Sequence, residues 1–207
     1  MRCAYEEFSK EEGVEEESIL QVMEITMKNL MEDGRIDYRD FLARADMLVA
    51  SGMTVLISDY FEYYRLAAYI GRYTKKLVGL TMGIGSLREL FEEKYYTQLE
   101  GGILESFGRL FQNDLKLYVY PLREPGSDEL VTIDNLRVAH DLRNLYKYLI
   151  DRGCINQLMN HDEKCLGIFS RDVLNKIREG DASWETMVPA VVAEAIKSEG
   201  LLGARRE

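Results

Sequence analysis

The chain has 207 residues, a formal net charge of −10, 46% hydrophobic and 30% charged residues, which is the make-up of a globular protein able to bury a substantial core. The negative balance argues against nonspecific binding to nucleic-acid phosphates and to anionic membrane surfaces. No run approaches the ~20 apolar residues that cross a bilayer.

The opening, "MRCAYEEFSKEEGVEEE", is acidic and has no apolar centre. It reads as neither a secretory signal nor a mitochondrial presequence, so the cytoplasm is the expected location. A first helix is expected from about Glu16 to Met31, because Ile19, Leu20, Met23, Met27, Leu30 and Met31 recur at three- and four-residue spacing. "EDGRID" breaks it. Asp37 can cap a second helix with the stripe Tyr38, Phe41, Leu42, Ala45, Leu48 and Val49, and Gly52 stands just past its end.

Three short apolar runs bounded by turn residues then read as strands covered on both faces: "MTVLIS" (53–58), "LVGLTM" (77–82) and "LKLYVY" (115–120). A helix over Tyr60 to Tyr73 separates the first two. Helices over Leu87 to Tyr95 and Ile103 to Gln112 separate the second and third. This β-α-β-α-α-β order predicts an α/β fold with a small parallel sheet of about three strands joined by crossover helices. Beyond "REPGSDELVT" the chain reads as mainly helical, with Asp134 and Ser170 as caps, Gly153 as a terminator and Pro189 opening the last helix. The expected organisation is one α/β domain over 1–207, with a helical segment (1–52), the βαβααβ core (53–125) and a mainly helical segment (126–207).

Ligands of open parallel sheets lie outside the carboxyl ends of the strands, and three junctions qualify. At the first, Ser58, Asp59 and Tyr60 stand between a strand and a helix. Ser58 and Asp59 fit helix caps, which satisfy first-turn N–H groups; a hydroxyl and a carboxylate facing a cleft are the functional alternative. At the second, "GIGS" (83–86) supplies Gly83 and Gly85 for a tight turn, with Ser86 and Glu89 spaced as a capping box. A glycine turn into a helix can bind phosphate or carboxylate, but Arg88 replaces the third glycine of G-x-G-x-x-G. At the third, Arg123 follows Pro121. Arg88 and Arg123 could complete an anion pocket or stand as plain surface charges. In "LEGGILESFGRLF" (99–111), Glu100 and Glu105 are conceivable acid–base residues, though a helix packed on the sheet explains the segment as well.

Cys3, Cys154 and Cys165 show no C-x-x-C spacing and read as reduced thiols. "HDEKC" (161–165) gathers His, Asp, Glu and Cys, but with two histidines in the chain no metal-ligand set is expected. No phosphate-binding G-x-x-x-x-G-K-[ST] loop, G-x-S-x-G elbow, H-E-x-x-H pair or Asp-rich calcium loop occurs, and no motif indicates a cofactor.

"LISDYFEYYRLAAYIGRYTKKLVGLTMG", "LEGGILESFGRLFQNDLKLYVYP" and "IFSRDVLNKIREGDASWETMVPAVVAEAIKSEGLLG" resemble the C-terminal region of a bacterial protein family whose longer members are commonly labelled nicotinate-nucleotide adenylyltransferase. The resemblance spans most of the chain and implies one domain of a longer protein. The adenylyltransferase signatures G-x-F-x-P-x-H-x-G-H and I-S-S-T-x-x-R are absent, so it brings no catalytic residue. The expected function is binding of a nucleotide or other anionic small metabolite at the strand ends. Its site residues would be Ser58, Asp59, Tyr60, Gly83, Gly85, Ser86, Arg88 and Arg123. The alternative is a non-catalytic interaction or oligomerisation domain, homo-oligomeric through its tyrosine- and methionine-rich helices.

Overall fold

The computed structural model describes residues 2–27, 31, 32, 35, 36, 38–124, 126, 127 and 129–204, with backbone alone at 31, 32, 35, 36 and 113. In chain order the elements are α1 (Arg2–Phe8), β1 (Val22–Thr26), β2 (Met31–Glu32), β3 (Arg35–Ile36), α2 (Tyr38–Ala50) and β4 (Thr54–Ser58). Next come α3 (Tyr63–Ile70), β5 (Val78–Gly83), α4 (Ile84–Leu90), α5 (Gly102–Leu110) and β6 (Leu115–Tyr120). The last are β7 (Leu122–Arg123), β8 (Leu130–Val131), α6 (Arg143–Asp151), β9 (Ile155–Gln157), α7 (Ser170–Glu179) and α8 (Ala190–Glu199). Among the described residues no helix is long and apolar enough to cross a membrane.

The fold is mixed α/β with small parallel sheets, and its residues group into two compact units. One comprises Met1–Ile19 and Glu62–Gly167, the other Leu20–Phe61 and Ile168–Glu207.

In the first unit β5, β6 and β9 form a three-stranded parallel sheet with β6 in the middle. Alternation along β6 sends Leu115, Leu117 and Val119 to one face and Lys116, Tyr118 and Tyr120 to the other. The first face meets Ile84 and Leu87 of α4, Phe107 and Leu110 of α5 and Tyr146 and Leu149 of α6, all buried. Phe91 joins them, tilted 4.8 Å from the Phe107 ring and edge-on 5.1 Å from Tyr146. On the second face, Ala4 of α1 packs with Tyr118 and Leu158, and Phe8 lies alongside.

In the second unit β1 and β4 make a two-stranded parallel sheet, from Val22 opposite Thr54 to Thr26 opposite Ser58. Its helical core gathers Ala43 of α2, Val173 and Ile177 of α7, Ala193 and Ile196 of α8, and Leu201 around the buried Trp184. Gly180 ends α7 and Gly200 ends α8, both left-handed, with φ of 77° and 66°. Glycine accepts that backbone without a Cβ clash.

Several expectations are corrected. The three predicted strands form within a residue of their expected positions, but the first does not join the other two. β4 pairs with β1, and the third strand beside β5 and β6 is β9. The expected helix over 16–31 is a short 3-10 turn at Glu16–Ser18 followed by a strand. Lys28, Asn29 and Leu30, like the proposed cap Asp37, lie outside the described residues. The second helix forms as α2, but half of its predicted apolar stripe faces outward: Tyr38, Leu42 and Val49 are exposed, whereas Phe41, Ala43 and Ala45 are buried. Asp134 caps no helix. It lies in a turn closed by Asn135, whose side-chain oxygen accepts the Thr132 N–H at 2.7 Å, and α6 starts only at Arg143.

Candidate functional site

The carboxyl ends of β1 and β4 bring four polar residues together. Parallel register sets Thr26 opposite Ser58, and Glu24, two residues earlier on β1, projects from the same face as Thr26. The Ser58 hydroxyl donates to a carboxylate oxygen of Glu24 and accepts the backbone N–H of Tyr60 at 3.2 Å. Thr26 is only 7% and Ser58 8% exposed. The Thr26 hydroxyl is fully buried and has no hydrogen-bond partner among the described residues. Such an orphan costs about 1–3 kcal/mol of desolvation, so its retention calls for a purpose. Asp59, beside Ser58, is exposed.

Ser58 and Asp59 do not cap the following helix. α3 begins at Tyr63, with Glu62 at its cap position and no side-chain cap bond there. The two residues lie near the end of the first stretch of the second unit, which runs to Phe61, and α3 lies in the next segment of the first.

Tyr60 lies with Ser58 and Asp59 in the second unit, and the remaining predicted residues lie in the first. Gly83 ends β5 and precedes α4, while Gly85 and Ser86 lie within that helix. The predicted capping box is therefore absent, since the cap position is Gly83, and no side chain caps α4. A Cβ at Gly83 or Gly85 would meet nothing within 4 Å, so packing does not demand glycine at either place. Arg88 pairs with Glu124 at 2.8 Å, with about half of its side chain in water. Arg123 belongs to the short antiparallel pair of β7 with β8, opposite Leu130. Arg88 is thus neutralised by Glu124, the chain neighbour of Arg123.

Glu105, the other conceivable acid–base group, holds its own helix: one carboxylate oxygen accepts the Gly101 N–H at 2.9 Å and the other pairs with Arg109 at 2.5 Å. Arg65 and Arg109 both lie over the buried Tyr64 ring, at 5.8 and 5.9 Å. The segments "EYYRL" and "LESFGRL" therefore meet where Arg65 and Arg109 flank Tyr64, while the buried Ser106 hydroxyl of α5, like that of Thr26, has no hydrogen-bond partner among the described residues. Glu11 is equally committed, accepting from Lys116 and from the Tyr118 hydroxyl, each at 2.5 Å.

Among the described residues, no three His, Cys, Asp or Glu side chains are grouped to hold a metal ion. His161 instead has its Nδ1 3.0 Å from the Leu158 carbonyl.

Sequence reasoning singled out Ser58, Asp59 and Tyr60 but not Glu24 and Thr26, because the segment that carries the latter two read as a helix. The available signal was the β-branched Val22, Ile25 and Thr26 within five residues, a composition that favours strands. No family model matches the chain, and no curated protein or solved structure matches it.

Proposed function

We propose that the chain binds a small anionic metabolite, a nucleotide or another phosphorylated or carboxylated compound, at the carboxyl ends of β1 and β4. The observation that carries this reading is the buried Thr26 hydroxyl, without a hydrogen-bond partner among the described residues, on the strand beside the Ser58–Glu24 pair. The place agrees with the general position of ligands in parallel sheets. The resemblance to the family labelled nicotinate-nucleotide adenylyltransferase makes mononucleotides the first compounds to try, although nothing in the chain supports adenylyl transfer itself. The same resemblance points to a bacterial setting.

The test is a thermal-shift screen of nucleotides and sugar phosphates. A ligand at a hundred times its dissociation constant adds about 2.7 kcal/mol of stability. Thr26→Val, which removes the hydroxyl and nearly keeps the shape, should lose the shift. A flat screen rejects the reading.

A second reading, an interaction or oligomerisation domain, is favoured by α2. Tyr38, Leu42 and Val49 lie on one side of that helix and are 65%, 54% and 58% exposed. Light scattering after size exclusion decides it: a concentration-dependent oligomer that Leu42→Glu dissolves would support it, and a monomer at high concentration would reject it.

A further inference from the structure

The outward face of α2 is laid out as its own complement. With Leu42 at its centre, the helical turn of about 100° per residue places Val49 and Tyr38 within roughly 40° on one side and Asp46 and Arg39 roughly 40–60° away on the other. All five residues are exposed. The flank beyond Tyr38 carries the buried Ala45 and Phe41 and no charge. The face is therefore an apolar strip, edged along one flank by a positive and a negative side chain seven residues apart.

That spacing is two turns, about 10.5 Å along the axis, and Leu42 lies near the midpoint between the two charges. When two copies of such a helix meet antiparallel about a two-fold axis, each flank faces the same flank of the other copy in reverse order. With the axis beside Leu42, Arg39 of each copy comes opposite Asp46 of the other, and Tyr38 comes towards Val49. A parallel pair would set the charged flank against the uncharged one. Charges flanking an apolar seam set the orientation of paired helices, and here they select the antiparallel one.

We propose, resting on the oligomerisation reading above, that α2 docks a second copy of this chain as a closed antiparallel dimer, with the apolar strip at its centre and two Arg39–Asp46 pairs at its edge. The complementarity of the face with itself names the occupant, since the matching surface is supplied by the same helix. That helix has 13 residues and is about 20 Å long, so the contact is small and the dimer concentration-dependent. Assembly stops at two copies, because each covers the other's face.

The experiment is analytical ultracentrifugation of the full chain over a concentration series. It compares the unmodified protein, Arg39→Asp, Asp46→Arg, an equimolar mixture of these two, and the double variant. The expected result is a monomer–dimer equilibrium for the unmodified chain, weakened at least about tenfold in each single variant, where like charges meet twice per dimer. Mixing the single variants should restore association, because every Asp then faces an Arg in the mixed dimer. The double variant, with both charges exchanged, should associate like the unmodified chain, which also shows that the substituted helix still folds. Single variants that associate as tightly as the unmodified chain, or a mixture no tighter than its components, overturn the two-fold pairing and leave the oligomerisation reading standing. Assembly beyond two copies does the same. A chain that is monomeric throughout the series overturns both.

Discussion

Phe8 of α1 occupies the space that a side chain at Gly79 of β5 would need. A Cβ on Gly79 would lie 2.7 Å from the Phe8 ring and 3.1 Å from that of Tyr118, and Phe8 and Tyr118 meet edge-on with centroids 6.0 Å apart. Gly79→Ala should therefore push Phe8 off the sheet and destabilise the first unit by about 1–3 kcal/mol, the usual cost of overpacking. Urea denaturation measures it. Phe8→Ala in the same chain should relieve part of the cost of the Gly79 substitution, leaving the Tyr118 contact, a coupling that a double-mutant cycle reads directly.

The same segment is pinned by Glu11. Burial opposes its ionisation, but hydrogen bonds from Lys116 and Tyr118, with the Lys116 charge, together hold its carboxyl below the ordinary glutamate range. A depressed folded value means that the stabilisation is present above the unfolded pKa, about 4.3, and is lost as pH falls through the folded one. The docking of residues 2–11 should loosen in that acidic window. Hydrogen exchange at α1 as a function of pH measures this, and Glu11→Gln should remove the dependence. An α1 equally protected across that range in the unmodified chain would refute the role given to Glu11.

Ser58 and Asp59, neighbours in the chain, should respond oppositely to alanine. Ser58 is buried and bonded to Glu24, so Ser58→Ala should cost about 1–3 kcal/mol by stripping a partner from a partly buried carboxylate. Asp59 is exposed and caps nothing, so Asp59→Ala should change stability by no more than about 0.5 kcal/mol. A cap-sized loss at Asp59 in thermal melts would contradict the placement of the helix start.

Tyr146 donates its hydroxyl to the Ile133 carbonyl at 2.6 Å inside the core of the first unit. Burial raises its pKa well above that of a free tyrosine, in keeping with a hydroxyl that stays protonated as a donor. Tyr146→Phe keeps the ring against Phe91 but leaves that carbonyl unpaired, a loss of about 1–3 kcal/mol, visible as a lower urea midpoint at unchanged slope.

The strands at 54–58, 78–83 and 115–120 were legible because each is a compact apolar run between turn residues. Their partners were not. Leu20, Met23 and Met27 fall at helical spacing and mask the β-branched residues of β1. β9 is three residues long and has no periodicity to read. Pairing also depends on residues far apart in the chain: β4 meets a strand about 30 residues upstream of it, and β6 meets one about 40 residues downstream. In α2 the periodicity located the helix but not its inward side, since the core takes the small Ala43 and Ala45 and leaves Leu42 outside. The candidate site was half legible for the same reason: Ser58 sits on the strand that was recognised, Glu24 and Thr26 on the one that was not.

The second unit is assembled from two stretches, Leu20–Phe61 and Ile168–Glu207, with most of the first unit threaded between them. During synthesis β1, α2 and β4 leave the ribosome early, but Trp184 and the helices α7 and α8 that pack with it follow only after more than a hundred intervening residues. The intervening stretch can acquire its own core first, because its sheet and its buried phenylalanines are all within it. The strand pair bearing Thr26 and Ser58 is thus synthesised long before α7 and α8, and a chain halted before α7 would carry the candidate site's residues without those two helices and Trp184.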